Sequence, residues 1–347
     1  MTESLGAMSP EEAILLTAGI ALAVSFVLVR LTIGYAHRRG MLDAPGRRRS
    51  HTMPTPRGGG IGIVGGVAVA MPLALMALPG SPGWVSTLIL TLSTLAVAAI
   101  GWLDDHGSLP IRPRLAVQLL ATLAVSLVLA RETSSLLWAA PLLVAGVWSI
   151  NLHNFMDGID GLAAQQAIFN GLGCAALAWA AGNPAIAGAA LAVAGASLGF
   201  WWFNRSPARI FMGDVGSATL GLLVFVLVGL LWVWRTPLVW PALILSSAFV
   251  IDASLTLLVR MLRGSRWYTP HREHMYQWLV RRGASHARVT GFYLGWNVLV
   301  CVPVAWIAFR WPSWAPALCV ATFGLAAMVW RGGKQWCLHR RIRHVST

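Results

Sequence analysis

Six of the twelve acidic residues in this 347-residue chain lie at or next to the ends of long apolar segments. These six are Asp104, Asp105, Asp157, Asp160, Asp214 and Asp252. A carboxylate near hydrocarbon is costly to keep ionised, so we expect the chain to use several of them on a metal ion, a proton or a cationic ligand. They are the first candidates for chemistry.

The most specific motif is residues 151–163, which read Asn-Leu-His-Asn-Phe-Met-Asp-Gly-Ile-Asp-Gly-Leu-Ala. Its two glycines relax the backbone, and its Asn and Asp side chains offer oxygen ligands. Such oxygens suit Mg²⁺, which takes one or two protein carboxylates and completes its shell with phosphate and water. A polar turn with helix caps fits the spacing too. A calcium loop does not, because the regular ligand alternation and the closing Glu are missing.

A second motif, residues 203–217, reads Phe-Asn-Arg-Ser-Pro-Ala-Arg-Ile-Phe-Met-Gly-Asp-Val-Gly-Ser and runs directly into an apolar segment. Gly213, Gly216 and Ser217 let the backbone approach a ligand at a helix start, where free N–H groups and the helix dipole favour phosphate. Asp214 would repel a phosphate unless a cation lay between them, so the motif again predicts a metal. Gly-Asp-x-Gly-Ser alone is also typical of an ordinary helix cap.

A third motif, residues 266–277, reads Arg-Trp-Tyr-Thr-Pro-His-Arg-Glu-His-Met-Tyr-Gln. His271, Arg272 and His274 concentrate donors that could neutralise a diphosphate as charge develops during transfer. A juxtamembrane polybasic loop is the alternative interpretation. A zinc site is disfavoured because two His without thiolate or carboxylate partners at suitable spacing form an incomplete ligand set.

The composition indicates what carries these motifs. Apolar residues make up 57% of the chain, charged residues only 11%, and the mean hydropathy is +0.67. Apolar stretches of membrane-spanning length recur along it. We therefore predict an all-α polytopic membrane protein, with residues 1–347 forming one integral membrane domain. The eleven candidate spans are 13–33, 61–78, 85–103, 115–130, 136–150, 162–181, 185–203, 217–234, 238–259, 290–309 and 314–330.

Alternation of charge predicts the orientation, because cytoplasmic loops collect Lys and Arg. Loops 34–60, 104–114, 204–216 and 260–289 and the tail 331–347 carry 22 of the 26 basic residues. The N-terminus is therefore expected outside and the C-terminus in the cytoplasm. The cytoplasmic loop 151–161 belongs to the same side, so the acidic motifs cluster on one face. A merely solvated surface would not produce that clustering.

The net charge of +14 could indicate nucleic acid. The basic residues, however, follow the cytoplasmic margins of many spans instead of gathering on one module. We therefore expect anionic membrane lipids as partners and no nucleic acid. The four cysteines, at 174, 301, 319 and 337, lack metal-ligand or paired spacing and are assigned packing roles.

In order and spacing, the motifs at 104–105, 151–161, 211–217 and 271–274 resemble those of the polyprenyl-phosphate N-acetylhexosamine-1-phosphate transferases of glycosyltransferase family 4. The resemblance covers nearly the whole chain. It implies transfer of a sugar-1-phosphate from a UDP-N-acetylhexosamine to undecaprenyl phosphate, with release of UMP. It also implies Mg²⁺ as cofactor, with Mn²⁺ as a substitute, a homodimer, and a site on the cytoplasmic face of the bacterial inner membrane.

The resemblance also implies roles for individual residues. Asn154 and Asp214 match the metal-binding pair, and Asp104 and Asp105 match residues near the lipid phosphate, where they remove a proton or organise the site. Matches to the remaining roles complete the site: Asp157, Asp160 and Asn204 for the nucleotide pocket, Phe211 for stacking on uracil, and His271, Arg272 and His274 for the diphosphate. Asp252 has no assigned role beyond support from the ninth span.

The histidine motif departs from the peptidoglycan translocase branch, which has three consecutive histidines there. His-Arg-Glu-His resembles instead the initiators of O-antigen and other surface polysaccharides, and the stretch at 48–60 points the same way because it lacks the lysine of the translocases. The translocase, a phospho-N-acetylmuramoyl-pentapeptide transferase, is the nearest alternative. The donor sugar stays open among GlcNAc, GalNAc, FucNAc and QuiNAc.

Two alternatives come from other classes of protein. A cation-coupled transporter would place its acids near the bilayer midplane and often has two repeated halves, and the sequence shows neither feature. A non-catalytic scaffold would need no acidic cluster at one face. UMP release that depends on the lipid separates both from a transferase.

Overall fold

The structure is a computed structural model that describes residues 8–43, 54–107, 109–265, 269 and 271–343. Parts of two sequence motifs, at 48–53 and at 266–268 and 270, lie outside the described residues. The described chain is almost entirely helical. Its α-helices are α1 (Pro10–Arg39), α2 (Ile61–Ala77), α3 (Trp84–Gly107), α4 (Ile111–Glu132), α5 (Ala139–Met156), α6 (Leu162–Ala180), α7 (Pro184–Asn204), α8 (Asp214–Trp234), α9 (Val239–Leu245), α10 (Ser247–Leu262), α11 (Met275–Arg281), α12 (His286–Trp296), α13 (Val302–Arg310) and α14 (Ala315–Arg343).

Short elements link some of these helices. Two 3₁₀ turns, Leu136–Trp138 and Thr236–Leu238, precede α5 and α9, and a π-helical stretch, Asn297–Cys301, joins α12 to α13. Strands β1 (Leu42–Asp43) and β2 (Thr55–Pro56) pair antiparallel, with Leu42 opposite Pro56. This ribbon lies between α1 and α2.

Eight described helical segments are long and apolar enough to cross a membrane. A ninth span results if Thr236–Leu245 and Ser247–Leu262, which meet at a bend of 73°, are counted together. The prediction of an all-α polytopic membrane protein is therefore confirmed. The count of eleven is not, because α2 and α6 are helices outside that set. The orientation of the termini stays a prediction.

Helices α7 and α8 form the centre of the bundle. The most apolar window of α8 is 89% buried and that of α7 is 72% buried, against 28% for α1. Small residues make such close packing feasible, since a Cβ on Gly195 of α7 would lie 2.4 Å from the Ala18 carbonyl oxygen of α1. The first residues of α8 therefore begin the most buried of the candidate membrane spans.

The last helix is longer than the sequence predicts. The predicted span ends at residue 330, yet α14 continues without interruption to Arg343. Tail residues expected to form a basic cytoplasmic segment are therefore a helical extension of the span. One of them, Lys334, is only 7% exposed and packs its ammonium 4.3 Å from the Trp330 ring centroid.

Candidate active site

A cavity of about 950 Å³ opens where α3 and α5 end and α8 begins. Nine of the eleven residues predicted for the site line this cavity. Eight of them are named first. These lining residues are Asp105, Asn154, Asp157, Asp160, Phe211, Asp214, His271 and Arg272. Asn204 also lines it, whereas Asp104 and His274 do not. Four of the lining residues, Asp105, Asn154, Asp157 and Asp214, are called the acidic wall below.

Asp105 holds the start of α8 in place. Its two carboxylate oxygens accept hydrogen bonds from the backbone N–H groups of Asp214 at 3.0 Å and Val215 at 3.1 Å. These groups are among the unpaired donors that every helix start presents. Gly213 permits the approach: its φ is +76°, and a Cβ there would lie 2.3 Å from Asp105 Oδ2. Asp105 therefore has a structural task that the motif did not reveal.

Asp214 lies in the first turn of α8, where the helix dipole favours a negative charge. The side-chain amide of Asn154 donates to Asp214 Oδ1 at 2.9 Å and to Ser217 Oγ at 3.0 Å. Arg114 of α4 donates to the other oxygen of Asp214. The predicted metal pair is thus brought together by direct contact between α5 and α8.

Asp104 and its neighbour Asp105 have different hydrogen-bond partners. Asp104 forms an ion pair of 2.6 Å with Arg114 and accepts a hydrogen bond of 2.6 Å from the Leu109 N–H. Arg114 therefore bridges Asp104 and Asp214. Sequence reasoning missed Arg114, which was counted only as a loop charge, although its place in the same predicted loop as Asp104 was an available signal.

The turn between α5 and α6 carries Asp157 and Asp160 in different electrostatic settings. Burial, followed by the charges of Asp214, Asp105 and Asp160, raises the pKa of Asp157 to about 8. For Asp160, burial also opposes ionisation. The hydrogen bond and charge of His286, whose Nδ1 lies 3.1 Å from Asp160 Oδ2, together with hydrogen bonds from the Ala208 N–H and Ser206, outweigh burial and lower the pKa.

Asn204 connects this turn to the segment that carries Phe211. Its side-chain oxygen accepts from the Gly161 N–H at 2.9 Å, and its amide donates to the Ile210 carbonyl at 2.9 Å. The next residue, Phe211, is bound through its backbone to Pro56 and Gly59, at 2.8 and 2.9 Å. Asn204 is 3% exposed, so its main contacts position the cavity wall.

The histidine loop, residues 271–274, divides between two environments. His271 and Arg272 reach the cavity, whereas His274 is 1% exposed and caps the start of α11. Burial, together with the positive charges of nearby groups, lowers the pKa of His271 to about 4. Burial also lowers the pKa of His274. In the free protein at pH 7 both rings are neutral, so Arg272 supplies the loop's positive charge to the cavity.

Asp252 holds the end of the histidine loop through hydrogen bonds. It is 2% exposed and accepts hydrogen bonds from the Met275 N–H at 2.8 Å, the Tyr293 hydroxyl at 2.6 Å and the Trp330 indole at 3.1 Å. These donors belong to α11, α12 and α14. Asp252 in α10 therefore ties the end of the histidine loop to three helices.

Tyr276 joins the two sides of the cavity. Its hydroxyl donates to the Phe155 carbonyl at 2.8 Å, near the end of α5. Burial raises the pKa of this phenol, which keeps the proton that it donates. Gly158 makes room, because a Cβ there would lie 2.1 Å from the Tyr276 hydroxyl.

The donor set fits the metal that the resemblance implies. Burial and, after it, the charges of Asp214, Asp105 and Asp160 raise the pKa of Asp157, and a divalent cation would relieve the repulsion among these carboxylates. No group of three His, Cys, Asp or Glu side chains in the described chain is arranged to hold a metal. A site with only Asp214 and Asn154 as protein ligands suits Mg²⁺, which keeps water and phosphate oxygens in its remaining positions.

Carboxylate, amide and guanidinium groups thus converge at the ends of membrane-spanning helices, an arrangement typical of a membrane-bound enzyme for phosphorylated substrates. Residues 87–231 match the model of glycosyl transferase family 4. The probable undecaprenyl-phosphate N-acetylglucosaminyl 1-phosphate transferase of Bacillus subtilis is 30% identical over 291 residues, which are 77% of this chain and 79% of that protein. The chain therefore belongs to glycosyl transferase family 4, and the resemblance drawn from the motifs is confirmed.

Two further relatives show the breadth of the family. The decaprenyl-phosphate N-acetylglucosaminephosphotransferase of Mycolicibacterium smegmatis is 28% identical over 334 residues, which are 80% of this chain and 78% of that protein. The phospho-N-acetylmuramoyl-pentapeptide-transferase of Moorella thermoacetica is 35% identical over 237 residues, which are 60% of this chain and 71% of that protein.

Proposed function

We propose that the protein transfers N-acetylhexosamine-1-phosphate from a UDP-sugar to undecaprenyl phosphate. The products are undecaprenyl-diphosphate-sugar and UMP, and the reaction would begin a surface polysaccharide at the cytoplasmic face of the inner membrane. The observation that carries the proposal is the convergence of four separate sequence motifs on one cavity at the ends of apolar helices. Relatives named for N-acetylglucosamine phosphate transfer match more of the chain than the pentapeptide transferases do.

The reaction needs one bond formed and one broken. An oxygen of the lipid phosphate attacks the phosphorus that bears the sugar, and the bond from that phosphorus to the bridging oxygen breaks. UMP leaves with that oxygen and its electron pair. Phosphoryl transfer of this kind depends mainly on positioning and on neutralising charge, so no nucleophilic Ser or Cys is required.

The chain's own residues would divide this work. Asp214 and Asn154 would hold Mg²⁺, which when bound would withdraw charge from the diphosphate and the departing UMP. Arg272 and the neutral His271 would donate hydrogen bonds to the diphosphate. Phe211, set by its backbone bonds to residues 56 and 59, would stack on uracil.

Asp105 would organise the site instead of removing a proton. Both of its oxygens already accept backbone hydrogen bonds at the start of α8. A phosphate monoester with a second pKa of about 6 is mostly dianionic at neutral pH, so little proton removal remains to be done. We expect Asp105→Asn to lose activity by a constant factor between pH 6.5 and 8.5. Recovery at high pH would instead assign Asp105 as a base.

The test is UMP release by purified protein given undecaprenyl phosphate and a panel of UDP-sugars, starting with UDP-GlcNAc and including UDP-MurNAc-pentapeptide. Parallel reactions contain Mg²⁺, Mn²⁺ or EDTA. Release that needs lipid and metal supports the proposal and names the sugar. Release only with the pentapeptide donor would assign the protein to the translocases, and no release with any donor would reject the transferase reaction.

A further inference from the structure

We propose that Arg57 binds the phosphate group of the lipid acceptor, an inference that rests on the proposed function. Arg57 lines the cavity and lies in the stretch at 48–60, for which the resemblance implied no role in the site. It follows strand β2 at the point where the ribbon between α1 and α2 meets the segment before α8.

The backbone around Arg57 is held on both sides. The Arg57 N–H donates to the Met41 carbonyl at 3.1 Å, and the Phe211 N–H donates to the Pro56 carbonyl at 2.8 Å. The Gly60 N–H donates to the Met212 carbonyl at 2.8 Å. Arg57 is therefore fixed to the same backbone that presents Phe211 and leads into Asp214. A side chain mounted in this way is preorganised for binding.

The guanidinium of Arg57 lies near the acidic wall but, among the described residues, forms no ion pair with its carboxylates. Its positive charge acts on Asp105, but both oxygens of Asp105 accept backbone hydrogen bonds from the start of α8. Within the described part of the chain, no ion pair joins Arg57 to a carboxylate. Guanidinium presents a planar fork that matches two phosphate oxygens. Arg57 thus offers this fork to an anion in the cavity.

The neighbourhood of Arg57 indicates which phosphate it takes. The adjacent Gly58 packs against Trp102 of α3, where a Cβ would lie 3.3 Å from the indole. Trp102 lies 4.4 Å from the His106 ring, and His106 is 3.2 Å from the Tyr35 hydroxyl of α1. Aromatic side chains at the ends of membrane-spanning helices are typical of the membrane interface. A lipid phosphate resides at that depth.

The donor diphosphate has its own candidates on the other side. His271 and Arg272 enter the cavity from the loop before α11, which Asp252 and Tyr276 hold. Arg57 instead lines the cavity with Asp105 and is next in the chain to Gly58, which packs against the interfacial Trp102. We therefore assign the acceptor phosphate to Arg57 and the donor diphosphate to the histidine loop. In the reaction Arg57 would orient the attacking oxygen and would transfer no proton.

Two measurements test this assignment on detergent-purified full-length protein. The first is equilibrium binding of radiolabelled undecaprenyl phosphate without nucleotide, with undecaprenol and inorganic phosphate as competitors. The second is the KM for each substrate in the UMP-release assay. The variants are Arg57→Gln and Arg57→Lys. The matched control is Arg209→Gln, because Arg209 is exposed and donates to the Trp202 carbonyl outside the cavity wall.

We expect Arg57→Gln to weaken binding of undecaprenyl phosphate and raise its KM by roughly 10- to 100-fold, the usual effect of losing a hydrogen bond to a charged group. The KM for the UDP-sugar should change less than about twofold, and Arg57→Lys should fall between. Thermal unfolding verifies that each variant is folded. If Arg57→Gln is unfolded, the same comparison is made with Arg57→Lys.

A rise in the UDP-sugar KM alone would place Arg57 on the donor diphosphate and overturn the assignment. Unchanged constants for both substrates would also overturn it. Competition by undecaprenol as strong as by the phosphorylated lipid would show that the chain, and not the phosphate, is recognised. Wild-type protein that binds the lipid phosphate through Arg57 yet releases no UMP would reject the proposed function and keep the assignment.

Discussion

The acidic wall and the histidine loop face the same cavity but are built in different ways. Asp105, Asn154 and Asp214 lie on long helices whose ends bind one another directly. The histidine loop precedes α11, a helix of only seven residues. It is held in place by the hydrogen bonds of Asp252 and Tyr276. The wall assigned to the metal is therefore rigid by helix packing, whereas the loop assigned to the diphosphate is rigid only through its anchors. The two sides of the cavity therefore owe their positions to different kinds of contact.

The largest effect should follow from breaking the acidic wall. We expect Asp214→Asn to lower UMP release by roughly 100- to 1,000-fold, the usual cost of losing one preorganised electrostatic group in a transition state. EDTA should have an effect of similar size. Ser217→Ala is the matched control on the same turn and should lose far less activity. Near-normal activity in Asp214→Asn would contradict the assignment of the metal pair.

We expect His271→Gln to lower the rate of UMP release by roughly 10- to 100-fold, because it removes a hydrogen bond to a charged diphosphate. Its pH dependence tests the charge state. Because the pKa of His271 is lowered to about 4, the ring gains a proton only near that pH and is neutral from pH 6.5 to 8.5. The groups that lower it besides burial are His274, Arg260 and Lys334.

The ratio of wild-type to His271→Gln activity should therefore stay constant across that range of pH. A ratio that rises as the pH falls toward 6.5 would show instead that the bound substrate holds His271 in its protonated form. The same titration on His274→Gln provides a reference, since His274 does not line the cavity.

Loss of the loop's anchor should have an intermediate effect. Asp252→Asn keeps the shape of the side chain but weakens its acceptance of the Met275, Tyr293 and Trp330 hydrogen bonds. We expect kcat to fall about tenfold with a smaller change in the KM for undecaprenyl phosphate. Tyr293→Phe removes one of the three donors and should show a weaker form of the same pattern. Equal increases in both KM values would argue for general destabilisation instead.

The smallest effect should follow from Arg114→Lys. Arginine reaches Asp104 and Asp214 at once, whereas lysine is a single point charge that keeps one partner. We expect activity to fall by about three- to tenfold, with most of the loss restored at higher Mg²⁺ because Asp214 is left less well oriented. A loss that Mg²⁺ does not restore would separate Arg114 from the metal site.

The sequence predicted the helical framework and most of the cavity because long apolar segments and closely spaced polar motifs are local signals. It missed how side chains orient at the end of a helix. Asp104 and Asp105 are neighbours in one motif, yet only Asp105 reaches the cavity. His274, grouped with His271 by spacing, is turned inward by the start of α11.

Two arginines of the site had a place in the sequence prediction but no role in it. Arg57 lies in the stretch at 48–60 and Arg114 in the loop that begins with Asp104. Only the packing of the helices shows that Arg57 lines the cavity and that Arg114 contacts Asp214. The extension of α14 was missed because its charged residues resemble a tail. Lys334 can nevertheless remain helical and buried there, with its charge over the Trp330 ring.

Tyr276 acts as a spacer of fixed length between the two sides of the site. Its ring spans from α11 to the Phe155 carbonyl at the end of α5, and Gly158 leaves no room for either side to move closer. The gap between the acidic wall and the histidine loop is then set by the size of one phenol. Within a gap of constant width, the shape offered to the sugar depends on the side chains that line it, among them Gln277 and Val280.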